Sequence, residues 1–140
     1  MRVLLDTNVI SELHHPQGNL IVHAVLEQFP DEVQFLSAIT IGEIAYGISL
    51  RDEGSKKAGL MAWLNGLETG YAPRILGIDI ETARIWGEIT ARARKQGRAV
   101  STSDGLIAAT ALQYGLHVVT RNVSDFEPTG ALIINPWGAN

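Results

Sequence analysis

Short apolar runs alternate with longer stretches of helical period along the chain, and this alternation excludes most architectures before any residue is considered singly. Runs of strand length joined through helices belong to an α/β domain with a mostly parallel sheet. Strands are expected at about Val3 to Asp6, Val33 to Ser37, Ile75 to Ile78, Val118 to Thr120 and Leu132 to Ile134, which makes a sheet of about five short strands. They are apolar throughout, as strands covered on both faces are.

The intervening helices carry their own start and stop signals. DIETARIWGEITARARKQG has Asp79 as an N-cap, Ala83, Trp86, Ile89 and Ala93 in helical period, basic residues near its end and Gly97 as a stop. SDGLIAATALQYG starts at a Ser103 or Asp104 cap, is nearly apolar through Leu112 and ends at Gly115, which predicts a deeply buried helix. Thr40 is the expected cap of TIGEIAYGISL and Asn19 that of NLIVHAVLEQF. Asp52 to Gly70 is expected to be helical despite Gly54, Gly59, Gly66 and Gly70, and HHPQG is expected to turn.

At 140 residues, with no linker or internal repeat, residues 1–140 are expected to form one domain whose core needs neither a disulfide nor a structural metal. The absence of cysteine excludes thiolate metal sites and thiol catalysis and suits a reducing compartment. No apolar run reaches the roughly 18 residues that cross a bilayer, and the first residues lack a signal-peptide h-region. A cytoplasmic protein with no membrane partner is therefore expected. The net charge of −4 weighs against a broad basic surface for nucleic acid. Local basic contacts are still open to it: Arg92, Arg94, Lys95 and Arg98 crowd into ARARKQGR, where they also complement a helix C-terminus.

In a parallel sheet with right-handed crossovers, strand C-termini and the N-termini of the following helices share one edge. Asp6 ends the first strand, Glu43 lies in the first turn after the second, Asp104 opens the buried helix and Asp125 follows the strand HVVT. All four carboxylates are expected along that edge. Singly, each has a local explanation. Asp104 suits a helix cap, Glu43 is three residues beyond Thr40 as a capping-box partner, and Asp6 and Asp125 suit Asx turns. Glu43, however, shares its helix face with Ile39 and Gly47, so its side chain leaves the apolar side and requires a polar cleft.

Carboxylates gathered within a few ångströms repel one another unless a cation occupies the gap. Oxygen-only ligands without cysteine or a clustered histidine pair suit Mg²⁺ or Mn²⁺, and the chemistry natural to such a site is in-line attack of water on a phosphodiester. Thr7, Asn8, Ser103, Thr120 and Asn122 surround the acidic set and can orient carboxylates or bound waters, or simply cap and turn the chain. His23 and His117 are expected to be structural, His14 and His15 to lie on the surface, and Trp63 and Trp86 to pack in the core.

These blocks resemble the PIN-domain family and, within it, the VapC-type toxins of prokaryotic toxin–antitoxin modules, especially the FitB-like branch. LLDTNVISEL is similar to the N-terminal signature with its first acidic ligand, Asp6; SAITIGEIAYGI carries Glu43; STSDGLIAATALQYGLHVVTRNVSDF carries Asp104 and Asp125; IINPW resembles the FitB-like C-terminus. The resemblance implies a three-layer α/β/α domain and a metal-dependent endoribonuclease acting on cellular RNA with Mg²⁺ or Mn²⁺ held by the four carboxylates. It also implies a cognate VapB- or FitA-like antitoxin, operator DNA reached through that antitoxin, and a homodimer. Because RARKQGR directly precedes AVSTSD, Lys95 and Arg98 become candidate RNA phosphate contacts.

Two other Mg²⁺ enzymes share a similar sheet. A dehalogenase-like phosphatase needs a second Asp two positions after the first, where Asn8 stands, and a receiver domain needs an acidic pair after its first strand, where only Asp6 is present. The remaining alternative is a catalytically silent PIN-like binding or regulatory module, against which all four acidic positions are retained.

Overall fold

The protein is described over residues 1–138 of a computed structural model. The elements in order are β1 (Val3–Leu5), α1 (Thr7–His14), α2 (Leu20–Glu27), β2 (Gln34–Ser37), α3 (Ala38–Ser49), α4 (Ser55–Tyr71), β3 (Ile75–Leu76), α5 (Ile80–Lys95), α6 (Thr102–Tyr114), β4 (His117–Val119), α7 (Val123–Phe126) and β5 (Ile133–Ile134). The five expected strands are present and all pair in parallel, in the order β3-β2-β1-β4-β5.

That order dictates the layers. From β1 the chain steps outward to β2 and β3, then returns past β1 to add β4 and β5 on the other side. Right-handed crossovers then leave α1 to α4 on one face and α5 to α7 on the opposite face. The strand side chains divide accordingly: Val3 and Leu5 pack with Val9, Val22, Leu36 and Ile44, whereas Leu4 packs with Ile89, Ile107 and Phe126. One strand thus serves two cores, which is why its residues are uniformly apolar. At about 1.5–3 kcal/mol for each fully buried aliphatic side chain, these three residues anchor the centre of a three-layer α/β/α fold.

Several helix starts differ from expectation. Ser37 caps α3, its hydroxyl accepting from the Ile39 amide, so Thr40 lies buried inside the first turn and Glu43 falls in the second turn. Ser101 caps α6, accepting from the Asp104 amide, and Asp104 is left as the third helical residue. Helix α1 follows β1 directly and was not anticipated, because the polar DTN breaks the apolar period where the helix begins. Asp79 and Asn19 cap α5 and α2 as expected. Gly115 ends α6 at φ +68°, a left-handed conformation that favours glycine and turns the chain into β4.

Helices α5 and α6 pack together on the second face, and Gly105 permits their approach. A Cβ at that position would stand 2.8 Å from Trp86 Cδ1 and 2.9 Å from Trp86 Nε1. We predict that Gly105→Ala destabilises the protein by about 1–3 kcal/mol in chemical denaturation, despite the better helix propensity of Ala. An unchanged midpoint would show that the two helices are free to separate.

Candidate active site

The site is built around the end of β1. The Asp6 amide donates to the Val119 carbonyl at 3.0 Å and extends the β1–β4 ladder by one residue, which fixes Asp6 at the carboxyl edge where the strand order changes direction. In open α/β sheets this is the crevice that receives ligands. Asp6 is buried there, and both carboxylate oxygens are held: Oδ1 accepts from the Thr7 amide at 2.8 Å, while Oδ2 accepts from the Thr120 hydroxyl at 2.7 Å and the Asn8 amide at 3.2 Å. Asp6 is therefore the N-cap of α1 as well as the first acid of the site.

Asn8 and Thr120 tie the exits of β1 and β4 together. Asn8 donates to Thr120 Oγ1 at 3.3 Å and accepts from the Arg121 amide at 3.2 Å, and Thr120 Oγ1 also accepts from the Asn122 amide at 3.0 Å. Thr7 donates its hydroxyl to Glu43 Oε1 at 2.7 Å, bringing α3 to the same edge. Glu43 is half-buried and is not a partner of Thr40, whose hydroxyl is buried without a hydrogen-bond partner among the described residues. Ser103 lines a recess with Glu43 and Tyr46, and Asn122 precedes α7, where it makes no side-chain cap.

The four carboxylates sense one another in sequence along the edge. Burial raises the Asp6 carboxyl above the ordinary carboxylate range; the hydrogen bonds from Thr120, Thr7 and Asn8 oppose this, and the negative charge of Glu43 adds to it. Burial also raises Asp104, the Ser101 hydroxyl lowers it, and the charges of Asp6 and Asp125 push it further up. Glu43, Asp6, Asp104 and Asp125 thus form one electrostatically connected row, with Asp125 at its exposed end in α7.

Among the described residues, no three carboxylates or imidazoles converge closely enough to make a metal cage by themselves. The arrangement is an open row, and its donors are all hard oxygens. That suits a divalent cation such as Mg²⁺, which takes one or two carboxylates and retains several waters, better than an ion that demands a closed protein shell. Two carboxyls held above their usual range, first by burial and then by like charge, are groups whose ionised form a bound cation would favour.

Other residues singled out in the sequence lie near this edge or away from it. Lys95 is exposed at the end of α5, and Arg98 stands 3.7 Å from Glu127, in an ion pair beside the Asp125 segment. His23 is in α2, His117 opens β4, and Trp63 and Trp86 are half-buried against the two cores. His14 is not in a loop: it closes α1 and stacks on Trp63 with ring centroids 4.2 Å apart. Ser101 and Arg121 were missed. S-x-x-D spacing in STSD signals the first, and nothing local signals the second, whose guanidinium lies 5.3 Å from the Trp137 ring.

The PIN domain family model matches residues 3–129. Toxin FitB of Neisseria gonorrhoeae is 40% identical over 136 residues, covering 96% of this chain and 98% of that protein. VapC ribonuclease Y4jK of Sinorhizobium fredii is 37% identical over 136 residues, covering 96% and 97% respectively. A solved structure of FitAB bound to an IR36 DNA fragment superimposes with a TM-score of 0.91 at 38% identity, covering 99% of this chain and 97% of that one.

The electrostatics of Asp104 can be tested by linkage. A carboxyl whose folded pKa lies above its unfolded value of 3.8 favours the native state when protonated, and that contribution is lost as pH rises through the unfolded and then the folded value. In metal-free protein, the stability of Asp104→Asn relative to wild type should therefore increase across that window and level off above it. Parallel stability curves, or a difference moving the other way, would contradict the raised carboxyl.

Proposed function

The chain belongs to the PIN-domain family, and on that premise we propose that it is the ribonuclease toxin of a toxin–antitoxin pair, cleaving phosphodiester bonds of cellular RNA with Mg²⁺ or Mn²⁺. The observation that carries this reading is the row Glu43, Asp6, Asp104 and Asp125 at the sheet's switch point, with two of its members raised by burial and mutual repulsion. Residues 1–140 act as one PIN domain in this account.

Asp6 and Asp104 would hold the ion, with Glu43 and Asp125 extending the row to either side. A hard divalent cation held there would supply the positive charge that the phosphodiester transition state needs and would make the attacking water more acidic. Thr120 and Asn8 hold the Asp6 carboxylate in one orientation, and Thr7 does the same for Glu43. Groups that aim a ligating carboxylate in this way are commonly worth about 10–100-fold in metal affinity or activity. Lys95, exposed at the end of α5, and Arg98, shared with Glu127, are the cations we assign to RNA phosphates.

The named relatives are toxins or ribonucleases, and the structural relative is a complex with its FitA partner and DNA. We infer a FitA- or VapB-like antitoxin that obstructs the acidic edge and links the toxin to operator DNA, and a toxin homodimer. No helix among the described residues is long and apolar enough to cross a membrane, and we place the protein in the cytoplasm on its assignment to this toxin group.

Cleavage of total cellular RNA by the antitoxin-free protein tests the reading. Discrete fragments should appear with Mg²⁺ or Mn²⁺ and vanish with chelator and in folded Asp6→Asn. Equal cleavage by wild type and Asp6→Asn would remove the catalytic assignment of Asp6, and no metal-dependent fragments from either would leave a PIN-like binding module as the better description.

A further inference from the structure

A recess of about 330 Å³ opens between α1, α3 and α4, immediately beside the acidic row. Thr7 and Glu43, the hydrogen-bonded pair at one end of that row, form one side of it. His14 and Trp63 form another, Ile44 contributes an aliphatic floor, and Arg51 lies at the rim. The recess shares Glu43 with the acidic row, and away from that carboxylate its lining is of a different kind: an aromatic pair and a cation.

The aromatic pair is built rather than accidental. His14 closes α1 and Trp63 belongs to α4, so two separate elements present rings with centroids 4.2 Å apart and planes inclined by 27°. His14 is exposed and Trp63 half-buried, so the stack has a core-anchored side and an accessible side. Arg51 is exposed and forms no ion pair with a carboxylate among the described residues. An aromatic surface for a base with a cation nearby for its phosphate is the combination by which proteins hold single-stranded nucleic acid.

We propose that this recess seats one nucleobase of the RNA strand next to the bond to be cut, with the base stacked at His14 and Trp63 and Arg51 facing the flanking phosphate. The base then sits beside Glu43 while the scissile phosphodiester lies over Asp6 and Asp104, so the recess selects which nucleotide precedes or follows the cut. This inference rests on the ribonuclease reading for the identity of the strand. Its discriminating power comes from shape and stacking in the recess, whereas the carboxylates meet only backbone common to every nucleotide.

The test uses the full chain, free of antitoxin, and a short single-stranded RNA pool of randomised sequence. Binding is measured in an Asp104→Asn host so that the pool survives, and retained RNA is sequenced with and without His14→Ala or Trp63→Phe; thermal midpoints are recorded for every variant. Loss of His14 should weaken retention about tenfold, at the modest end of base–aromatic stacking, and flatten the preference at one nucleotide position. Trp63→Phe, which keeps an aromatic ring against the core, should shift that preference with little loss of affinity. The same position should lose its bias in cleavage fragments when His14→Ala is placed in the wild-type background.

Unchanged retention and unchanged preference in folded His14→Ala would overturn the proposal even if the protein cleaves RNA. Preferences that change as predicted in a protein that cleaves nothing would uphold the base seat and sink the nuclease reading instead. If His14→Ala leaves RNA binding intact and weakens capture of a co-expressed antitoxin, the recess belongs to the protein partner and the base seat is overturned.

Discussion

The hydrogen bond from Thr120 to Asp6 crosses from the exit of β4 to the exit of β1, at the one place in the sheet where the strand order turns back on itself. Both residues are buried, and the bond joins the two halves of the fold. Around it Asn8, Arg121 and Asn122 close a network of backbone and side-chain donors, so that DTN and TRN, more than a hundred residues apart, behave as a single polar edge. Glu43 is attached to that edge through Thr7, and Asp104 is brought to it by a helix capped by Ser101.

Holding this edge together has a thermodynamic consequence. The hydrogen bonds on Asp6 favour its ionised form, yet burial and the neighbouring Glu43 outweigh them, and Asp104 is raised in the same sense. Ionising Asp6 and Asp104 therefore costs stability that the two apolar cores offset. Carboxyls perturbed in this way by burial and like charge are a general mark of functional sites. The His14–Trp63 recess lies on the α1–α4 face beside this row, so the residues that sort nucleotides are carried by different helices from those that carry Asp104 and Asp125.

Much of this was legible in the sequence, for identifiable reasons. Uniform apolar strands and Gly- or Asp-marked helix ends are local signals, and the five strands, the caps at Asp79 and Asn19 and the Gly115 stop all appear where they predict. The common edge for the four acids followed from topology alone. What was illegible depends on contacts remote in sequence. Thr40 and Ser37 are both competent caps, and the helix starts directly at the end of β2, where Ser37 stands. Helix α1 was hidden because Asp6 serves as strand end and helix cap at once. His14 looked like a loop residue until α4 brought Trp63 against it across nearly fifty positions.

The measurement that bears most directly on this account is a crystal structure of the antitoxin-free protein soaked in Mn²⁺, with the ion located by its anomalous signal. The expected result is a peak at the acidic edge, where the carboxylates of Asp6 and Asp104 would hold the ion, with Thr120 still donating to Asp6. A peak elsewhere, or an acidic row that stays empty at saturating Mn²⁺, would contradict the claim that this edge is a divalent-ion site.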